Sequence, residues 1–241
     1  MIDNGLLVSM LIAFGVPTLI GNWWRVTGGG EPVGFLDVAV GPAFVGLAVG
    51  RLATLALDDP NSIGSISDML IIRSGVEFWP GVVAAVSMVM LSANRGAVSI
   101  SRRVSDLVPL AMVGYAGYEA ACIFRDGCFG PDSPIGLRPP GLTTTMLPIG
   151  WFMAGAVALA AVGIHALASR RYSASVVAFA AVFAVSSVRA VGSIWLPHVG
   201  DGLTRQHITS VAIVAVAALA TAVTTARSLL PRPGRTAPPT I

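Results

Sequence analysis

The residues of this chain best equipped for chemistry are arginines placed where arginine is expensive. Arg51 follows Val49-Gly50 inside an apolar run at 36–57, and Arg189 follows Ser186-Ser187 near the end of another at 173–194. A guanidinium in such a run is costly unless it is paired, reaches an interface or lines a wet cavity, so each is a functional candidate by default. Phosphate is its natural ligand, because the planar fork meets two phosphoryl oxygens at once and keeps its charge when partly buried. The structural alternatives are an ion pair with Asp37, Asp58, Asp59 or Glu119, or snorkelling to lipid headgroups.

Other titratable groups cluster near the same helix ends. Glu119, in Tyr115-Ala-Gly-Tyr-Glu-Ala-Ala-Cys122, can act as a general base if desolvation raises its affinity for a proton, or can bind a nearby arginine, and pairing is preferred. Asp126 and Asp132 flank the turn Gly127-Cys128-Phe129-Gly130-Pro131, and Arg125 adjoins it. His207 is a candidate base, although interfacial solvation suits both it and His198, and His165 reads as a packing residue. Cys122 and Cys128 match no zinc pattern; a disulfide on an oxidising face and two buried packing residues stand as equal alternatives. No metal site and no cofactor motif is predicted.

Helices in lipid must hold these groups. With 54% hydrophobic and 11% charged residues and a mean hydropathy of +0.78, the chain cannot make an ordinary water-facing surface. Apolar runs predict seven transmembrane helices near 5–21, 36–57, 80–94, 105–123, 145–168, 173–194 and 207–226, an all-α integral membrane fold in one domain over 1–230, with a disordered tail at 231–241 rich in proline. The run Gly5 to Ile20 reads as a retained span rather than a signal peptide, since Asp3 rather than a basic residue precedes it and no small-x-small cleavage site follows before Trp23. Trp79-Pro80 predicts a bend where the third span begins.

All fifteen basic residues are arginine and lie scattered among loops, which excludes a nucleic-acid-binding face. Arg25, Arg95, Arg102, Arg103, Arg170, Arg171, Arg227, Arg232 and Arg235 fall on alternate connections, whereas only Arg73, Arg125, Arg138 and Arg205 fall on the others. Arginine-rich short loops stay cytoplasmic, so the amino terminus is predicted outside and the carboxyl terminus inside. The long Gly- and Pro-rich loops, 58–79, 125–144 and 196–206, then lie outside, where a membrane enzyme would build its site.

In order and spacing, several segments resemble the prolipoprotein diacylglyceryl transferase family. Gly50-Arg51-Leu52, Asp58-Asp59-Pro60 and Ser74-Gly75-Val76-Glu77-Phe78-Trp79-Pro80-Gly81 look like its second and third helices and their connection; Cys122 to Gly130 looks like a divergent central signature; Arg189 falls where its late helix carries an essential arginine; and Leu203-Thr-Arg-Gln206-His-Ile-Thr-Ser210 resembles the start of its final helix. The resemblance covers about residues 36–226. It implies a multi-pass protein of the bacterial cytoplasmic membrane that moves diacylglycerol from phosphatidylglycerol to the cysteine thiol of an exported lipoprotein precursor. On that expectation Arg51 and Arg189, with Arg125 from the adjacent turn, are this chain's candidates for the lipid phosphate, Glu119 and His207 are candidate bases on their own chemistry, and Trp79, Gly130 and Gln206 line the site.

The chain departs from that pattern at the chemistry. Phe78-Trp79-Pro80 stands where a Phe-His-Gly element belongs, Glu119 stands where an arginine opens the central signature, and Ser193 and Leu196 replace an acidic and basic pair after Arg189. Loss of one cation from a phosphate site forfeits about 1.5–3 kcal/mol, and its replacement by an anion adds repulsion. These changes motivate a second expectation, a non-catalytic lipid-binding relative serving as a subunit or scaffold of a membrane assembly.

Overall fold

The computed structural model describes residues 4–21, 23–24, 34–58, 60, 76–95, 99–125, 127–139, 141–196 and 203–229. Arg25, Asp59, Arg73, Asp126, His198, the side chain of Arg95 and the proline-rich tail lie outside the described residues.

Among the described residues the α-helices are α1 (Asn4–Gly21), α2 (Phe35–Asp58), α3 (Phe78–Arg95), α4 (Ile100–Ala120), α5 (Ile149–Ser169), α6 (Ala174–Gly192) and α7 (Arg205–Leu229). Six are long and apolar enough to cross a membrane, with mean hydropathies of 1.5 to 2.0 in their most apolar stretches, the pattern of a multi-pass membrane protein; α3 carries a shorter apolar stretch, Phe78–Ala93. A helix satisfies its own backbone, which lipid cannot do. Hydroxyls inside these helices follow the same rule: Thr18 donates to Phe14 O at 2.6 Å and Ser9 to Gly5 O at 2.8 Å, hiding their polarity against the preceding turn.

Two helix starts differ from the apolar runs because capping, rather than hydrophobicity, sets them. α4 begins at Ile100, ahead of the expected 105, where Ser99 accepts from Arg102 N–H and the turn Ser101-Arg102-Arg103 follows. α7 begins at Arg205, where Thr204 Oγ1 accepts from His207 N–H at 3.1 Å.

The all-α membrane architecture stands, but the start of the fifth span is corrected. Residues 145–148 do not begin the fifth span; Met146–Pro148 form strand β2, antiparallel to β1 (Phe129–Leu137), and the helix starts at Ile149. A short apolar run cannot tell strand from helix by period. Pro148 also disfavours helical backbone at the residue before it.

The core centres on α4, which packs against α1, α5 and α6; α2 pairs with α3, and α6 with α7. Met112, Val113 and Ala116 of α4 meet Val157, Ala161 and Ile164 of α5 and Val177 and Ala181 of α6. Between α2 and α3 a Cβ on Gly46 would come within 2.8 Å of Gly81 O, and one on Gly81 equally close to Gly46 O, so glycine on both sides lets the two backbones touch. Small residues serve membrane helices in this way because lipid supplies no hydrophobic drive toward association.

Helix α3 reaches both ends of the bundle. Glu77, immediately before it, binds Arg205 at the start of α7, whereas Ser92 in its last turns accepts from Arg103 Nη1 in the first turn of α4 at 3.1 Å.

Candidate functional site

One end of the bundle gathers the end of α2, the start of α3, the end of α4, the end of α6 and the start of α7. Arg189 of α6 is its hub. Its Nη1 donates to Tyr115 Oη at 2.6 Å and lies 3.7 Å from Glu119 Oε1, and its Nη2 donates to Gln206 Oε1 at 3.4 Å. The guanidinium carbon stands 3.9 Å from the centroid of the Phe78 ring, a cation–π contact that shields the charge from lipid. Tyr115 and Glu119 thus share one guanidinium, so arginine, phenol and carboxylate form a compact network. Arg189 and Glu119 side chains are each 14% exposed. The pairing reading of Glu119 is the one whose geometry is present.

A second arginine, which sequence reasoning did not place in the site, ties three other helix ends together. Arg205 donates from Nη1 and Nη2 to the two Asp58 carboxylate oxygens at 3.0 and 3.1 Å, a bidentate fork, and from Nε to Glu77 Oε1 at 2.8 Å. Glu77 N–H in turn donates to Thr54 Oγ1 at 2.9 Å and to Gly50 O at 3.1 Å, fixing the start of α3 on α2. The available signal was charge complementarity: an arginine at the start of one helix faced carboxylates at the ends of two others.

Above these pairs opens a polar cavity of about 530 Å³ lined by Thr54, Asp58, Val76, Glu77, Gly127, Ser193, Leu196, Thr204, Arg205 and Gln206. Beside it lies an apolar groove of about 460 Å³ between α5 and α6, lined by residues that include Ile149, Phe152, Met153, Val188, Val191, Gly192 and Trp195. The two meet along one stretch of chain: Gly192 and Trp195 face the groove, and Ser193 and Leu196 the cavity.

The remaining sequence-derived candidates are dispersed. Arg51 is buried on α2, 5% exposed. Arg125 does not reach Glu119: its guanidinium lies 3.7 Å over the Tyr118 ring and donates to Tyr118 O at 2.8 Å. His207 sits with Nδ1 2.9 Å from Ser193 Oγ and is not joined to Glu119. Trp79 Nε1 donates to Ser210 Oγ at 3.2 Å, bracing α3 on α7. Gly130 is buried in β1, where a Cβ would come within 3.1 Å of Trp195 O, so it serves packing behind the site. Gln206 both holds Arg189 and lines the cavity. His165 stacks on Trp24, ring centroids 4.6 Å apart, at the opposite end. Among the described residues no cluster of metal-ligating side chains occurs.

Cys122 and Cys128 are joined in a disulfide, which resolves the two alternatives left by the sequence. It closes the turn between the 3-10 segment Ala121–Arg125 that extends α4 and strand β1. Gly150 N–H donates to Cys128 O at 3.2 Å, tying that turn to α5. A loop with a sequence separation of 6 contributes about 2 kcal/mol by restricting the unfolded chain. The paired substitution Cys122→Ser/Cys128→Ser is therefore expected to lower the unfolding free energy by about that amount; unchanged melting of the purified variant would show the link to be energetically idle.

Arg189 and Arg205 face Glu119, Asp58 and Glu77, two cations against three carboxylates. A phosphate reaching Arg189 would meet a fork already committed to Tyr115, and would have to displace Glu119 or Gln206, the two looser contacts. No protein-family model matches this sequence, and no curated protein matches it.

Proposed function

We propose that this chain holds a phospholipid at the outer face of a bacterial cytoplasmic membrane, as a divergent relative of the prolipoprotein diacylglyceryl transferases. The observation that carries this reading is the junction of polar cavity and apolar groove at Gly192-Ser193 and Trp195-Leu196. A molecule polar at one end and apolar at the other fits that junction, and a membrane supplies it in the form of a glycerophospholipid. Phosphatidylglycerol is the donor the family resemblance implies, with an exported lipoprotein precursor as acceptor.

Seven spans are supported by α3, whose two ends engage opposite ends of the bundle although its apolar stretch is short. Two independent features favour the site facing outward. The nine arginines on one set of connections mark the other face as cytoplasmic. The Cys122–Cys128 disulfide lies on the site face, and disulfides persist on oxidising surfaces. In intact cells a cysteine introduced at Ile135, 80% exposed in β1, should react with an impermeant maleimide and one at Ser99 should not. The reverse pattern would invert the topology.

The carboxylate excess favours a second reading, a lipid-bound subunit or scaffold without turnover. Glu119 holds the position beside Arg189 that an anionic headgroup would need, and like charge repels the headgroup. Purified protein in lipid, given labelled phosphatidylglycerol and a lipobox peptide, is expected to form little lipidated product while retaining phospholipid in native mass spectrometry. Robust turnover by the wild-type chain would establish the transferase instead.

A further inference from the structure

We propose that Ser193 and His207 form a nucleophile and base that act on the acyl ester of a glycerolipid, a reaction distinct from diacylglyceryl transfer; the substrate class rests on the lipid reading of the cavity and groove.

The geometry points to this pair in three ways. Ser193 Oγ lies 2.9 Å from His207 Nδ1, within reach for proton transfer. The same oxygen lies 2.9 Å from Ala190 O, so its single proton has two acceptors, and the histidine tautomer decides between them. With the ring proton on Nε2, Nδ1 takes the serine proton. The backbone that carries the imidazole is fixed, because His207 N–H is held by Thr204 Oγ1 at the start of α7.

Ser193 lies at the place an ester would reach. It is 8% exposed, yet lines the polar cavity, while Gly192 and Trp195 on either side line the apolar groove. An acyl chain lying in the groove brings its carbonyl to the end of α6, the depth at which glycerolipid esters sit between hydrocarbon and headgroup. Gln206 supplies a donor there. Its oxygen faces Arg189, which has no acceptor to offer, and its amide NH2 is thereby left for the cavity that Gln206 lines. That donor suits the negative charge that develops on an attacked carbonyl oxygen.

The step balances without a cofactor. Ser193 Oγ attacks the ester carbonyl carbon as its proton passes to His207 Nδ1. The bond from carbonyl carbon to glycerol oxygen then breaks, and His207 returns the proton to the departing oxygen, leaving a lysolipid and an acyl-serine. Water, deprotonated by His207, attacks the acyl-serine, and fatty acid leaves as the serine oxygen recovers its proton.

The test uses the full chain in phosphatidylglycerol nanodiscs and an alkyl fluorophosphonate, which phosphonylates activated serines. One adduct mapping to Ser193 is expected, absent in Ser193→Ala and formed about 100-fold more slowly in His207→Gln. Ser193→Cys, closest in size, covers the case in which the alanine variant does not fold, and should also lose the adduct. No adduct on the wild-type chain, or an undiminished one in either serine variant, overturns the pair. Native mass spectra of the same sample separate the two failures: retained phospholipid without adduct removes only the pair, and absence of both removes the lipid site as well.

Discussion

Arg189→Ala is expected to destabilise the protein by about 3–5 kcal/mol, the loss typical when one partner of a buried charge pair is removed. The carboxylate left behind is the cause. Glu119 is only 14% exposed, and its cation is Arg189; without it the charge stays in a poorly solvated position, and Tyr115 and Phe78 lose their contacts with the guanidinium. The double substitution Arg189→Met/Glu119→Leu removes both charges while keeping volume, and should recover most of the loss, since apolar replacements of a buried pair are often neutral. Denaturant unfolding in mixed micelles compares the three proteins. A single variant no less stable than wild type, or a double variant worse than the single, would show that the pair does not hold this end of the bundle together.

Arg205→Ala comes next in expected effect, at about 2–3 kcal/mol, from loss of charge-assisted hydrogen bonds to two carboxylates. The two partners contribute unequally. Glu77 is 11% exposed and carries most of the effect, whereas Asp58 is 49% exposed and its bond to Arg205 is weakened by water and salt. Because Arg205 joins the ends of α2, α3 and α7, the loss should appear first as faster hydrogen exchange at Glu77 N–H, whose acceptors are on α2. Arg205→Lys restores the charge but not a fork able to hold Asp58 through two nitrogens while Nε holds Glu77, so its stability should fall between alanine and wild type. Equal stability of the lysine variant and wild type would show that charge alone suffices there.

Helix positions were legible in the sequence because the solvent imposes them. A membrane-crossing segment must be apolar over its whole length, and runs such as 36–57 and 173–194 announce α2 (Phe35–Asp58) and α6 (Ala174–Gly192) within a few residues. Arg189 was also legible, since a charge within such a run demands a partner, and Glu119 stood among the four carboxylates of this chain considered for it. Where polarity stopped being the deciding force, the sequence ceased to speak. Met146–Pro148 is as apolar as the helix after it and became a strand through pairing with Phe129 and Asp132.

Tertiary structure alone decided which side chains share a site. Glu77 and Asp58 sit 128 and 147 positions before Arg205 along the chain and meet it only because the end of α2 and the starts of α3 and α7 lie at one level. Arg125, adjacent in sequence to the turn at 127–131, instead turned onto Tyr118, where it stacks on the ring face and donates to the backbone carbonyl. Hydropathy fixes how deep each helix lies, since transfer to lipid depends on composition along one axis. It says nothing of rotation about that axis or of which neighbour stands beside it, and those two quantities, set by packing of glycine and small side chains across helix pairs, determine whether an arginine finds a glutamate, a tyrosine or an empty cavity.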